Sequence, residues 1–166
     1  MNNIAIQLIT MFGIGRISKI PGTIASFVTC LFYFLCIIFN VNIIFLLITF
    51  FIILILSIIF INKYSSNFTE IDAKEIVIDE FLGQSLPIFF LYHPLQKGDP
   101  FGGALVYLIM CFILFRFFDI FKPFPINLID KKMKNGLGVV LDDLLAGIYV
   151  LIIFALFGHF FGPPFE

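Results

Sequence analysis

The stretch Ile71-Asp72-Ala73-Lys74-Glu75-Ile76-Val77-Ile78-Asp79-Glu80-Phe81-Leu82-Gly83-Gln84 holds four carboxylates and then runs directly into apolar sequence. On a helix, Asp72, Glu75 and Asp79, spaced three and four apart, share a face, and Glu80 lies about 100° away. Carboxylates this close repel one another unless a cation or bound protons compensate. Carboxylate oxygen is also the ligand that Mg²⁺ prefers. The plainer alternative is a solvated helix start, where acids favour the positive end of the helix dipole. It suits Asp72 and Glu75 better than Asp79-Glu80, because ionisable groups at membrane depth usually carry function and have partners.

Cations lie in a second stretch. Arg116 and Asp119 are three residues apart, as are Asp119 and Lys122, so all three can line one helix edge. The alternative is an internal ion pair with snorkelling cations, worth little by itself. Asp142-Asp143 opens the last apolar run, either as a dipole-favoured helix start or as further metal ligands. Gly22-Thr23, at the head of the first apolar run, can offer backbone N–H groups and a hydroxyl to an anion, or can simply be a turn and a cap. Acids for a metal, cations for an anion and a glycine-rich loop are together the inventory for phosphoryl chemistry on a lipid head group. There the work is mostly electrostatic positioning.

Other chemistries are excluded. The run from Cys111 to Arg116 is one residue short of a cysteine-phosphatase loop and lacks its glycines. No DxDxT-type nucleophile motif occurs, and no GK[ST] follows the glycines. His93 and His159 fall at the opposite ends of their apolar runs from the charges, so no histidine nucleophile or base is expected. Cys30, Cys36 and Cys111 lie within apolar runs and read as small apolar fillers.

The elements that must position these groups are membrane helices. Of 166 residues, 61% are hydrophobic and 13% charged, against roughly 25% charged in a soluble domain, so lipid clothes most of the surface. A single domain, 1–166, is expected. A net charge of −1 without a basic stripe argues against nucleic acid. Asn3 to Met11 is too short to cross a bilayer and is expected as an interfacial helix. It lacks a basic flank and a cleavage site, so no removable signal is expected. Ile24 to Ile61 is too long for one crossing of a ~30 Å hydrocarbon core and must turn at Asn40-Val41-Asn42. Apolar runs follow from Phe81 to Tyr92, Ala104 to Phe115 and Val139 to Phe161, with a polar loop at His93 to Gly103 and another around Asp130 to Lys134. Pro123 and Pro125 end the fourth helix. The fold class is thus all-α and polytopic, with about five spanning or membrane-embedded helices.

Across five spans, one side collects Arg16, Lys19, Lys63, Lys74, Arg116, Lys122, Lys131, Lys132 and Lys134, and the other only Lys97. By the positive-inside rule the crowded side is cytoplasmic, with the amino terminus inside and the carboxyl terminus outside. The acids collect on that same side.

Four segments in this order resemble the phosphatidylglycerophosphatase A family, Mg²⁺-dependent lipid phosphatases of bacterial inner membranes. They are Gly13-Ile-Gly15 through Pro21-Gly22-Thr23, Glu75 through Gly83, Phe115 through Ile126, and Gly136-Leu137-Gly138-Val139 through Gly147. One departure is Ala25, where the family has glycine in a PGTxGS stretch; Ser26 is kept. The resemblance implies hydrolysis of phosphatidylglycerol phosphate to phosphatidylglycerol and phosphate in the bacterial inner membrane, with the site on the cytoplasmic face. Asp72, Asp79, Glu80, Asp119 and Asp143 are the candidates for Mg²⁺ binding, and Asp79, Glu80, Asp119 and Asp143 for catalysis. Arg116 and Lys122 would grip phosphate, assisted by Gly22, Thr23 and Ser26. A metal-activated water or a carboxylate nucleophile such as Asp79 would serve equally. Two rivals use similar residues: a small transporter or channel subunit, against which no internal repeat is visible, and a lipid phosphotransferase, against which no DxxDGxxAR-like motif is found.

Overall fold

The computed structural model describes residues 4–17, 19–68, 72–97 and 100–161. Expectations that touch Asn3, Glu70, Ile71 or Asp99 lie outside the described residues. Within them the chain forms seven α-helices and no strand: α1 (Ile4–Ile9), α2 (Pro21–Ile38), α3 (Ile43–Tyr64), α4 (Ile78–Lys97), α5 (Leu105–Phe121), α6 (Ile126–Lys132) and α7 (Gly136–Phe161).

The long apolar run turns where expected. Asn40 takes a left-handed backbone, φ 51°, and the Asn42 side chain accepts a hydrogen bond from Ile44 N at 2.8 Å, capping α3. Among the described residues four helices are long and apolar enough to cross a membrane: α2, α3, the Phe101–Phe121 stretch that contains α5, and α7. The fifth, α4, has a spanning length of about 30 Å at 1.5 Å per residue. It is the most polar of the five and sits in the middle, packed against α2, α3, α5 and α7.

Successive long helices alternate in direction. At one end the Asn62 side chain of α3 accepts from Gly136 N at the head of α7, 2.7 Å. At the other, Tyr92 and Gln96 near the end of α4 both donate to the Val41 carbonyl in the α2–α3 turn. Buried hydroxyls stitch the interior: Tyr33 donates to Ser85 Oγ at 2.8 Å, and Tyr107 donates to the Pro87 carbonyl. Between lipid-soluble helices apolar burial gives no driving force, so such bonds and close packing must hold the bundle together.

The closest crossing is α4 on α7. A Cβ at Gly83 would overlap the Asp143 carbonyl oxygen, and one at Gly147 would overlap the Gly83 carbonyl oxygen. Pro87 explains the second approach: having no N–H, it leaves the carbonyl four residues earlier, that of Gly83, without its usual helical partner. Gly147 packs its backbone against that carbonyl.

Four boundaries differ from the sequence reading. From Asp72 the acid-rich segment is not helical before Ile78. Its Ala73, Ile76 and Val77 are buried, and Val77 N donates to the Ile9 carbonyl of α1 at 3.0 Å, so its backbone serves α1 instead of a helix turn. Asp72 and Glu75 therefore do not share a helical face with Asp79. The polar loop after Pro125 contains α6. Helix α4 runs past Tyr92 to Lys97 despite Pro94, and a wide turn from Pro100 to Ala104 leads directly into α5. Helix α7 begins at Gly136, with Asn135 Oδ1 accepting from Gly138 N. The amino-terminal helix is found as α1, with Ala5, Ile6 and Ile9 buried.

Candidate active site

Four helix ends meet at the end of the bundle opposite the α2–α3 turn. Helix α4 contributes its first turn, α2 its first two turns, α7 its second and α5 its last two. The positive dipole end of α4 favours the carboxylates in its first turn. Asp79 and Glu80 occupy the first turn of α4, and Asp142 and Asp143 the second turn of α7. One oxygen each from Asp79, Glu80 and Asp143 lies within 4.8 Å of the others. Asp79 and Asp143 are buried, at 6% and 4% exposure.

These acids are under-satisfied. Asp79 Oδ1, Glu80 Oε2 and Asp143 Oδ2 are buried without a hydrogen-bond partner, as is Arg116 Nε beside them. Buried polar atoms normally find partners, and orphans gathered at one place mark where something else binds. An all-oxygen donor set of three acids suits a hard divalent cation and suits a soft or nitrogen-seeking metal poorly.

Arg116 is held on both sides. Its Nη1 pairs with Asp119 Oδ2 at 2.6 Å, the expected i,i+3 pair, and reaches Ser26 Oγ at 3.5 Å. Gly22 lies against the same group: a Cβ there would overlap Glu80 Oε1 and stand 3.2 Å from Arg116 Nη1. Only a residue without a side chain lets the head of α2 come this close to both. The N–H groups of Gly22 and Thr23, early in α2, have no acceptor within their own helix. Asp119 in turn borders Asp143. The structure thus gathers Asp79, Glu80, Asp119, Asp143, Arg116, Ser26 and Gly22, with Thr23 adjacent in α2.

Two candidates lie at the edge of this group, Lys122 bound to Asp142 and Asp72 near enough for its charge to reach Asp79 and Asp142. Lys122 was expected on the edge shared with Asp119, but α5 ends at Phe121 and Lys122 takes a left-handed conformation, φ 41°. Its ammonium instead binds Asp142 Oδ2 at 2.7 Å and Asp130 Oδ1 at 3.2 Å. Burial works against its charge, but the bond to Asp142 and the charges of Asp142 and Asp130 outweigh burial and hold its pKa above the ordinary lysine value. Asp72 is exposed and lines a small neighbouring recess with Asp130, Lys134 and Asp142. Asp130, which the sequence reading left in a loop, and Asp142 together anchor Lys122. The Asp142-Asp143 doublet was a visible signal for the second; nothing in the sequence pointed to the first.

The fold is that of an all-α helical membrane protein, with buried acids and an arginine gathered at one helix-end junction. The phosphatidylglycerophosphatase A family model matches residues 7–158, and the chain belongs to that family. It is 37% identical over 147 residues to phosphatidylglycerophosphatase A of Haemophilus influenzae, covering 87% of this chain and 83% of that protein. A Bacteroides thetaiotaomicron protein named "Putative phosphatidylinositol-3-phosphatase" is 32% identical over 151 residues, 89% of each chain. Phosphatidylglycerophosphatase A of Escherichia coli is 26% identical over 148 residues, covering 89% of this chain and 80% of that protein. No solved structure matches.

Proposed function

We propose that the protein hydrolyses phosphatidylglycerol phosphate to phosphatidylglycerol and inorganic phosphate, at the cytoplasmic face of a bacterial inner membrane, with Mg²⁺ as cofactor. The observation that carries this reading is the cluster of orphaned oxygens on Asp79, Glu80 and Asp143 beside the orphaned Nε of Arg116. Asp79, Glu80 and Asp143 would hold the cation, which supplies charge neutralisation at the phosphate and lowers the pKa of a bound water. Arg116, fixed by Asp119 and Ser26, faces the phosphate oxygens with a planar donor set. The free N–H groups at the head of α2 add donors without mobile charge. Water adds to phosphorus, and the glycerol oxygen leaves with a proton. Asp119, the gathered carboxylate not assigned to the cation, would accept the proton of the attacking water.

The family membership and the named relatives support a phosphomonoester on a lipid as substrate. The test is phosphate release in detergent from phosphatidylglycerol phosphate, with phosphatidylinositol 3-phosphate as the comparison substrate. Release from the first that stops on chelation and returns with Mg²⁺ is expected. Release indifferent to chelation overturns the cofactor, and release from the inositol lipid alone overturns the head group. Ion flux without release favours a transporter, and transfer of the head group to an alcohol favours a phosphotransferase.

A further inference from the structure

Immediately below the Ser26–Arg116 contact the seam between α2 and α5 opens into an apolar groove of about 320 Å³. That volume lies within the range of small-ligand sites, about 300–1,000 Å³. On α2 its wall is Phe27, Leu31 and Phe34; on α5 it is Leu105, Ile109 and Phe112. Each set repeats at a spacing of seven residues with a member midway, a single stripe on each helix. The two helices run antiparallel through it. Ser26 meets Arg116 at the head, Phe27 and Phe112 pack edge to face at 6.4 Å below them, and the Cys30 thiol donates to the Leu108 carbonyl at the floor. Phe34 and Phe101 close the far end at 5.9 Å. The groove therefore starts at the phosphate-binding arginine and runs about 10 Å along the helices, toward the middle of the bilayer.

We propose that this groove seats one acyl chain of the lipid whose phosphate Arg116 binds, so that the enzyme reads part of the tail as well as the head. The assignment rests on the proposed lipid-phosphatase reading. Continuity decides the occupant: a head group at Arg116 is covalently tied to chains that must descend into the bilayer. The α2–α5 seam is an apolar slot that begins beneath that arginine. Its lining carries almost no polar surface to suit a sugar, nucleotide or peptide. The half-exposed flanks of Leu31 and Ile109, at 48% and 49%, leave it open sideways to lipid, so a chain can slide in without leaving the membrane.

The test fills the groove. Leu31→Trp and Ile109→Trp each place a large ring in the slot, and Ile55→Trp, on the lipid-facing side of α3 at 58% exposure, is the matched control. KM is measured for dibutyryl, dioctanoyl and dipalmitoyl phosphatidylglycerol phosphate at fixed detergent. The groove variants are expected to raise KM about tenfold for the two longer substrates and less than twofold for dibutyryl; the control shifts none. Equal shifts for all three substrates, or none, overturn the groove. In parallel, an anionic lipid phosphate with a photoreactive group in its acyl chain is cross-linked to wild-type protein. Label concentrated in residues 27–34 and 105–112, and lost in Leu31→Trp, supports the groove. Label spread evenly over the outer faces of α3 and α7 overturns it. A wild-type protein that releases no phosphate from any of the three substrates but still labels the seam refutes the phosphatase reading and leaves the groove standing.

Discussion

Gly22→Ala is the most discriminating substitution this site offers, because it removes no functional group. The added methyl would overlap Glu80 Oε1 and press on Arg116 Nη1 from 3.2 Å. What it meets is the tip of a flexible side chain, so Glu80 swings aside and the helices stay in place. Misplacing a reacting or ligating group by about 1 Å costs on the order of 100-fold in rate. The fold moves the other way: alanine is the better helix former by about 0.5–1 kcal/mol, a gain of roughly 1–4 °C at this chain length. Gly83→Ala is the converse. Its methyl would meet the Asp143 carbonyl and the Phe115 ring at the α4–α7 crossing, neither of which can turn away. Overpacking of that kind costs about 2–3 kcal/mol, roughly 5–10 °C. The assay is phosphate release beside thermal denaturation in the same detergent. A Gly22→Ala protein with normal turnover, or one that loses stability like Gly83→Ala, would refute the placement of Glu80 against the head of α2.

Asp79→Asn keeps the volume of the side chain and removes one charge from the cluster. Turnover is expected to fall about 100-fold or more at saturating Mg²⁺, with weaker Mg²⁺ binding by calorimetry. In chelator its melting temperature should be no lower than wild type, since like-charge repulsion is relieved; near-normal turnover would remove Asp79 from the catalytic set. Lys122→Met leaves Asp142, 5% exposed, without its ammonium partner and should cost about 2 kcal/mol. Because the folded-state pKa of Lys122 is raised, that contribution is fully present below the unfolded lysine pKa of about 10.4 and is lost only as pH rises through the folded value. The wild-type-to-variant difference in denaturation midpoint should therefore shrink in strong alkali, as Lys122 loses its proton.

The helical bundle was readable because lipid imposes a simple rule: a chain that is apolar for 20 residues must be a helix. Asn40-Val41-Asn42 was the one break in a long greasy run, and the chain turns there. The collection of charge at one end was equally readable, since any ionised group left elsewhere would meet hydrocarbon. What periodicity did not show was how backbone groups are shared between elements. Spacing placed Asp72, Glu75 and Asp79 on one helical face, but Val77 gives its N–H to Ile9, and the helix cannot start until Ile78. Spacing likewise paired Lys122 with Asp119, but α5 stops one residue too soon and the lysine turns to Asp130 and Asp142. A partner 20 residues away in sequence leaves no periodic trace.

The α4–α7 crossing links the fold to the site more tightly than any single charged pair does. Gly83 and Gly147 let the two helices approach until backbone touches backbone, and Pro87 frees the carbonyl that Gly147 packs against. Asp79 sits one turn before Gly83, and Asp143 one turn before Gly147, so the same approach drives their carboxylates together. The backbones behind the two acids cannot move apart without separating the helices, and burial leaves little water to screen the carboxylates. Repulsion that would be relieved by a small rotamer change at a soluble surface is here built into the closest contact of the bundle. On the proposed reading, the cation and the packed crossing therefore support each other. The ion neutralises what the glycines force together, and the glycines hold the oxygens at the separation the ion needs. That reciprocity explains why glycine and proline lie one or two turns from the chain's most expensive charges.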